Sequence, residues 1–181
     1  MRPTKTEIAA AAGHTIPDVI GRDLAVLFCG INPSLYSAAT GHHFARPGNR
    51  FWPALHRAGF TTVQLAPAEQ EKLLGYGLGI TNLVARATAR ADELTPDELL
   101  AGAEILATKA AQCRPRWIAV AGVTAYRTAF ARPKARLGRQ DETLGPAGLW
   151  VLPNPSGLNA HFQLDTLAAE FAALRAAAHA P

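Results

Sequence analysis

L-A-V-L-F-C-G-I-N-P-S, Leu24 to Ser34, runs through about six residues rich in apolar side chains and then breaks at Gly30 into a polar turn. The run is too short for a helix and is stopped by Gly30 and Pro33, so it reads as a strand buried in a parallel sheet. Asn32 then sits just past its carboxyl end. The design recurs toward the other terminus, where L-W-V-L, Leu149 to Leu152, runs into P-N-P-S-G-L-N, Pro153 to Asn159. In open α/β sheets, ligands bind outside the carboxyl ends of the strands, where loops gather on a rigid support. Two such turns at one sheet edge make a site.

Working outward, G-I-T-N-L-V, Gly79 to Val84, and W-I-A-V-A, Trp117 to Ala121, are two further short strands. Helical segments separate them. Arg50 to Ala58 and Pro67 to Gly75 are helix candidates, the second with proline as an acceptable first residue. Thr95-Pro96-Asp97-Glu98 carries a capping box with proline at the first helical position. From there Leu99, Ala103, Leu106 and Ala110 recur at helical spacing until Pro115 forbids continuation. Another helix is expected from Thr124 to Ala131. In the last, capped by Asp165, Leu167, Phe171, Leu174 and Ala178 form one stripe. Leu35 to Asn49 shows no period and is expected to be a long loop, Arg132 to Arg139 a mobile cationic loop, and Met1 to Arg22 a loosely held arm.

Strands alternating with helices predict a three-layer α/β/α sandwich on a central four-stranded, mainly parallel sheet, with the first and last strands close together. At 181 residues and 49% apolar composition the chain can bury one good core, so residues 1–181 are read as a single domain. Two cysteines, Cys29 and Cys113, are too few for a disulfide framework, a zinc site or an iron–sulfur cluster, which suggests a reducing cytoplasm. No apolar run approaches the roughly 20 residues of a membrane span, and no charged segment leads into an apolar signal core. The expectation is a soluble cytoplasmic protein. A formal charge of +4 and a pI near 9.4 favour a polyanionic partner.

The chemistry is limited by what the turns contain, which is amides and hydroxyls with few acids. There is no Gly-x-x-x-x-Gly-Lys phosphate loop, and Pro33 removes a backbone donor where a dinucleotide fingerprint would place glycine. No Gly-x-Ser-x-Gly elbow presents a serine nucleophile. His42 and His43 are adjacent and do not converge as i, i+4 ligands would, so neither a metal nor another cofactor is expected.

G-I-N-P at Gly30 to Pro33, T-G-x-x-F-A-x-P at Thr40 to Pro47, N-R-F-W at Asn49 to Trp52 and N-P-S-G-L at Asn154 to Leu158 together resemble the mismatch-specific uracil DNA glycosylases. These belong to the uracil DNA glycosylase superfamily, with the thymine DNA glycosylases. The likeness extends from about Leu24 through Phe171, with matching order and spacing. It implies a monofunctional enzyme, acting as a monomer on double-stranded DNA, that flips uracil out of the duplex, preferably opposite guanine. Hydrolysis of the N-glycosidic bond then leaves an abasic site for base excision repair.

The resemblance also implies roles. Asn32 would hold a water in line with the anomeric carbon, since an amide is no effective base. Phe44 matches the stacking phenylalanine, while Ile31, Ser37 and Asn154 would line the pocket. Ser156, Gly157, Leu158 and Asn159 match the DNA-binding wedge, with Leu158 filling the gap that the base leaves. Ser34 stands where the family often has glycine, which predicts a bulkier or more polar wall. Asp92 lies in the loop after the second strand, where the family often has an amide, and its carboxylate is a candidate to activate the water. Arg114, Arg116 and the cationic loop are candidate phosphate contacts.

Overall fold

The computed structural model describes residues 1–181 and contains a five-stranded sheet in the order β2-β1-β3-β5-β4. The strands are β1 (Val26–Gly30), β2 (Leu78–Asn82), β3 (Trp117–Ala121), β4 (Gly138–Leu144) and β5 (Ala147–Leu152). All pairings are parallel except β4 with β5, which is antiparallel. Every residue of β1 is buried. A strand covered on both faces must be apolar throughout, which is why the opening stretch lacks alternation.

Six α-helices accompany the sheet: α1 (Lys5–Ala10), α2 (Leu35–Thr40), α3 (Phe51–Arg57), α4 (Pro96–Cys113), α5 (Val123–Ala129) and α6 (Leu164–Ala178). Successive strand side chains point to opposite faces and feed separate cores. Val26 and Phe28 of β1, Ile80 of β2 and Leu152 of β5 pack with Leu55 of α3 and Phe171 of α6. Leu27 and Cys29 of β1, Val120 of β3 and Val151 of β5 pack on the other face with Leu106 of α4 and Tyr126 of α5. The three-layer α/β/α arrangement expected from the strand and helix order is therefore present.

The sheet has five strands rather than four. Gly138–Leu144, which spans the end of the expected cationic loop and the residues after it, forms β4, an edge strand whose residues alternate between exposed and half-buried. Its charged and polar composition conceals it in a search for apolar runs, and the same composition discourages edge-to-edge pairing with other chains. Arg139 in this strand lies over the Trp117 ring, 5.4 Å from its centroid. The first and last strands of the expected set, β1 and β5, are not neighbours, because β3 lies between them.

The remaining differences are local. Leu35–Thr40 is helical where a loop was expected, capped by the Ser34 hydroxyl and ended by Gly41 in the left-handed conformation. Pro67–Tyr76 winds as tighter 3-10 turns rather than as an α-helix. Helix α6 is capped through Gln163, and Asp165 pairs instead with Arg57. Met1 to Arg22 is not a loose arm: Val19 bridges Ile80 of β2, the Gly13 amide donates to the Ala87 carbonyl, and Asp18 accepts from Thr81 and pairs with Lys109 of α4. These tethers are long-range in sequence, so local composition does not reveal them.

Candidate active site

Four parallel strands deliver their carboxyl ends to one edge, and β1 lies between β2, its successor in the chain, and β3. The chain reverses direction across the sheet at this point, which opens a crevice. A cavity of about 680 Å³ occupies it, lined by Ile31 and Asn32 after β1, Asn82 ending β2, Gly122 after β3 and Asn154 after β5. Asn32, Asp92, Ile31, Ser37, Phe44, Asn154, Ser156, Leu158 and Asn159 all contribute to its lining, whereas Gly157 does not.

The Asn32 amide has a fixed polarity. Its Nδ2 donates to the Arg86 carbonyl at 3.0 Å and to the Thr88 hydroxyl at 2.8 Å, and that hydroxyl donates in turn to the Arg90 carbonyl. A carbonyl only accepts, so nitrogen must face Arg86, and Oδ1 is left to the cavity side without a protein partner. The supporting loop is held from α4. Arg86 makes a forked pair with Glu98, and Glu98 also accepts from the Thr95 amide that caps the helix. The guanidinium and the cap hydrogen bonds hold the Glu98 carboxyl down to about 2.

Phe44 comes after two histidines and takes φ +52°, a left-handed conformation uncommon for a bulky side chain. One face of its ring stacks on Phe51 at 4.2 Å between centroids, with 18° between the planes. Gly30 permits this closeness, since a Cβ there would meet the Phe44 ring at 3.2 Å and Asn82 Oδ1 at 2.5 Å. Ser37 is buried, and its hydroxyl accepts from the Ala45 amide at 3.0 Å, tying α2 to the backbone next to Phe44. Ser34 caps α2 and reaches Ser37, so its hydroxyl is engaged within the turn.

The loop after β5 is a series of side-chain-to-backbone turns. Asn154 Oδ1 accepts from the Ser156 amide, the Ser156 hydroxyl accepts from the Leu158 amide, and Asn159 Nδ2 returns to the Asn154 carbonyl. The loop presents Leu158, 75% exposed, at the cavity mouth. Gly157 backs onto Gly48, where a Cβ would approach the carbonyl oxygen to 2.6 Å. Arg50 clamps the loop: its guanidinium donates to the carbonyls of Phe162, Ser156 and Asn159, and its own amide donates to the Pro155 carbonyl.

Asp92 lies at the rim, 71% exposed, with its carboxylate 3.0 Å from Arg90 Nε. Arg114 and Arg116 do not line the cavity. Arg132, Lys134, Arg136 and Arg139 line a separate cleft of about 380 Å³ that meets the main cavity at Leu137. Arg132 there pairs with Glu142 at 3.5 Å, and Glu142 also accepts from the Tyr126 hydroxyl.

Sequence reasoning missed Asn82, His43, Thr88 and Arg50 as parts of this site. Asn82 was open to the rule that singled out Asn32, since it ends a strand. The others act mainly through partners between 26 and 112 positions away, and nothing local announces such contacts.

A solution NMR structure of a candidate uracil DNA glycosylase from Methanosarcina acetivorans shares the fold, with a TM-score of 0.58 and 21% sequence identity. The alignment covers 90% of this chain and 98% of that one. The sequence pattern of the uracil DNA glycosylase superfamily matches residues 17–178, a span that takes in β1, the Phe44 loop, Asn82 and the Leu158 loop together. With its cavity at the switch point of the sheet and this match along nearly its whole length, the chain belongs to the uracil DNA glycosylase superfamily.

Proposed function

We propose that this protein is a monofunctional DNA glycosylase that removes uracil from double-stranded DNA, preferring uracil opposite guanine and working as a monomer. The observation that carries this reading is the locked amide of Asn32, whose Oδ1 has no protein partner in a cavity that Phe44 also lines. A glycosylase needs a platform for an extruded base and a water held beneath the sugar, and the two residues provide one each.

The duplex must first give up the base, at an unstacking cost of a few kcal/mol, which is smallest at a mismatched pair. Leu158, exposed on a clamped loop, fills the space vacated in the stack, while the backbone from Ser156 to Asn159 lies against the opposite strand. The flipped pyrimidine stacks on Phe44, with Ile31, Ser37 and Asn154 around it. The C1′–N1 bond then breaks and its electron pair leaves with uracil as an anion, so the sugar acquires oxocarbenium character. Water held by Asn32 Oδ1 adds its oxygen to C1′. Its proton passes to Asp92 or to solvent, and the uracil anion takes up a proton after release. Preorganised dipoles matter more here than a strong nucleophile, because charge develops on both fragments.

The test uses the purified protein, with EDTA, on labelled duplexes carrying single G·U, A·U, G·T or guanine·ethenocytosine pairs. Strand cleavage at G·U that requires alkali, with less at A·U, is the expected result. Absence of base release from every duplex despite tight, specific binding would establish a damage-binding module instead. If Asp92 takes the proton, Asp92→Asn lowers the single-turnover rate by ~100-fold. Full activity in that variant leaves the water to Asn32 and solvent.

A further inference from the structure

We infer that His43 is a positioning residue that sets the polarity of the Asn82 amide, so that Asn82 offers the base pocket an acceptor and selects bases with an N–H on the facing edge. This rests on the uracil-release reading. The contact lies beneath the pocket, between the residue before the stacking Phe44 and the last residue of β2.

His43 is 2% exposed and is held at three points. Its amide donates to Gln70 Oε1 at 2.8 Å, its carbonyl accepts from Trp52 Nε1 at 3.1 Å, and its ring Nε2 lies 2.9 Å from the Pro17 carbonyl. That carbonyl can only accept, so Nε2 carries a hydrogen. In the neutral ring Nδ1 is then a bare acceptor. Asn82 Nδ2 lies 3.3 Å from Nδ1, and it can satisfy a bare nitrogen only by donating. The amide is thereby oriented with nitrogen toward His43 and Oδ1 toward Gly30 and the Phe44 ring, on the cavity side. Oδ1 has no partner in the protein.

An acceptor at this place discriminates by chemistry. Uracil carries an imide N3–H between two carbonyls and can donate to Oδ1. A base without an N–H on that edge would leave Oδ1 unpaired, and a site built for one hydrogen bond rejects the analogue that lacks it. Protonating the ring would make Nδ1 a donor and reverse the amide. Burial opposes protonation, as does His42, while the Pro17 carbonyl, Asp18 and Glu71 favour it, and burial is the largest influence. The other side chains that hydrogen-bond to His43, those of Gln70, Asn82 and Trp52, are uncharged.

The experiment compares kcat/KM for uracil and for 3,N4-ethenocytosine, both opposite guanine, in the wild-type protein and two variants. The etheno bridge leaves no N–H on the relevant edge. His43→Gln keeps a donor for Pro17 but removes the acceptor at Nδ1, and the ratio of uracil to ethenocytosine is expected to fall about tenfold. His43→Asn restores an acceptor near the Nδ1 position and is expected to recover the ratio to within about threefold. Parallel loss on both substrates in both variants, with the ratio unmoved, would overturn the inference and leave His43 as scaffolding. Ring-nitrogen NMR of the wild-type protein gives a second readout that needs no variant to fold. An Nε2–H tautomer with an unprotonated Nδ1 is expected, and an Nδ1–H tautomer overturns the inference. If the wild-type protein releases neither base, the functional reading fails and this inference falls with it. Uracil release with an unmoved ratio defeats this inference alone.

Discussion

Among single residues, the site is a set of neutral amides whose orientation has been decided by obligate acceptors. Asn32 is fixed by a carbonyl and a threonine hydroxyl, and the hydroxyl is itself committed to the Arg90 carbonyl. An amide left to rotate would present nitrogen as often as oxygen, and a water held by nitrogen would carry its lone pair the wrong way. Thr88 is 5% exposed, and the isosteric change Thr88→Val removes one of the two constraints. It is expected to lower kcat for uracil release about tenfold with KM little changed. Asn32→Ala is expected to cost about 100-fold in kcat while duplex binding persists. Single-turnover kinetics beside a binding titration separate these, and a change confined to KM would move both residues from catalysis to binding.

Among the elements, the loop after β5 shows most clearly how order is supplied in advance. A loop that inserts a side chain into a base stack must arrive ordered, because ordering it on contact would draw on the free energy needed for extrusion. Local turns at Asn154, Ser156 and Asn159 supply part of that order, and the guanidinium of Arg50 at the start of α3 supplies the rest by holding carbonyls of Ser156, Asn159 and Phe162. A lysine ammonium lacks the planar fork that spans several acceptors. Arg50→Lys is therefore expected to lower kcat/KM on duplex uracil DNA about tenfold while changing it less than about twofold on single-stranded uracil DNA. Equal losses on the two substrates would show that Arg50 serves the pocket or the fold, not the inserted loop.

Over the whole molecule, a buried histidine and a set of hydrogen-bonded carboxylates give acid lability at separate pH ranges. His43 is held below its ordinary 6.5 by burial, so the unfolded chain binds a proton there more readily than the folded one. Its contribution to stability is complete above about pH 6.5 and is lost as pH falls toward the folded value. Glu98 is held at about 2 against an ordinary 4.5 by Arg86 and the Thr95 cap. Its contribution is present above about pH 4.5 and is lost as pH falls through about 2. The Tm is expected to decline in two stages on acidification, and Glu98→Gln to shrink the lower one, to which Glu7, Glu69 and Glu142, also held below 4.5 by their hydrogen bonds, contribute as well. A lower stage undiminished in Glu98→Gln would assign it wholly to the other carboxylates. Glu98 also bears on the site, since its partner Arg86 provides the carbonyl that orients Asn32.

Strands buried on both faces were legible from the amino-acid order alone. Leu24 to Gly30 and Leu149 to Leu152 stand out because a strand covered on both sides must be apolar throughout, and the breaks at Gly30 and Pro153 show where each stops. The Thr95 capping box was legible for a similar reason, its chemistry being complete within four consecutive residues. The motifs around Asn32, Phe44 and Leu158 marked which turns to bring together. Tertiary packing was needed to reveal the polar edge strand β4, the insertion of β3 between β1 and β5, and the docking of Met1 to Arg22 through Val19 and Asp18. The same holds for the contacts of His43 with Pro17 and Asn82, of Asn32 with Arg86 and Thr88, and of Arg50 with the loop after β5. Each joins residues far apart in the chain through one or two hydrogen bonds. Periodicity reports only which side of an element is buried, whereas the partner of a polar group is chosen when the layers close around it.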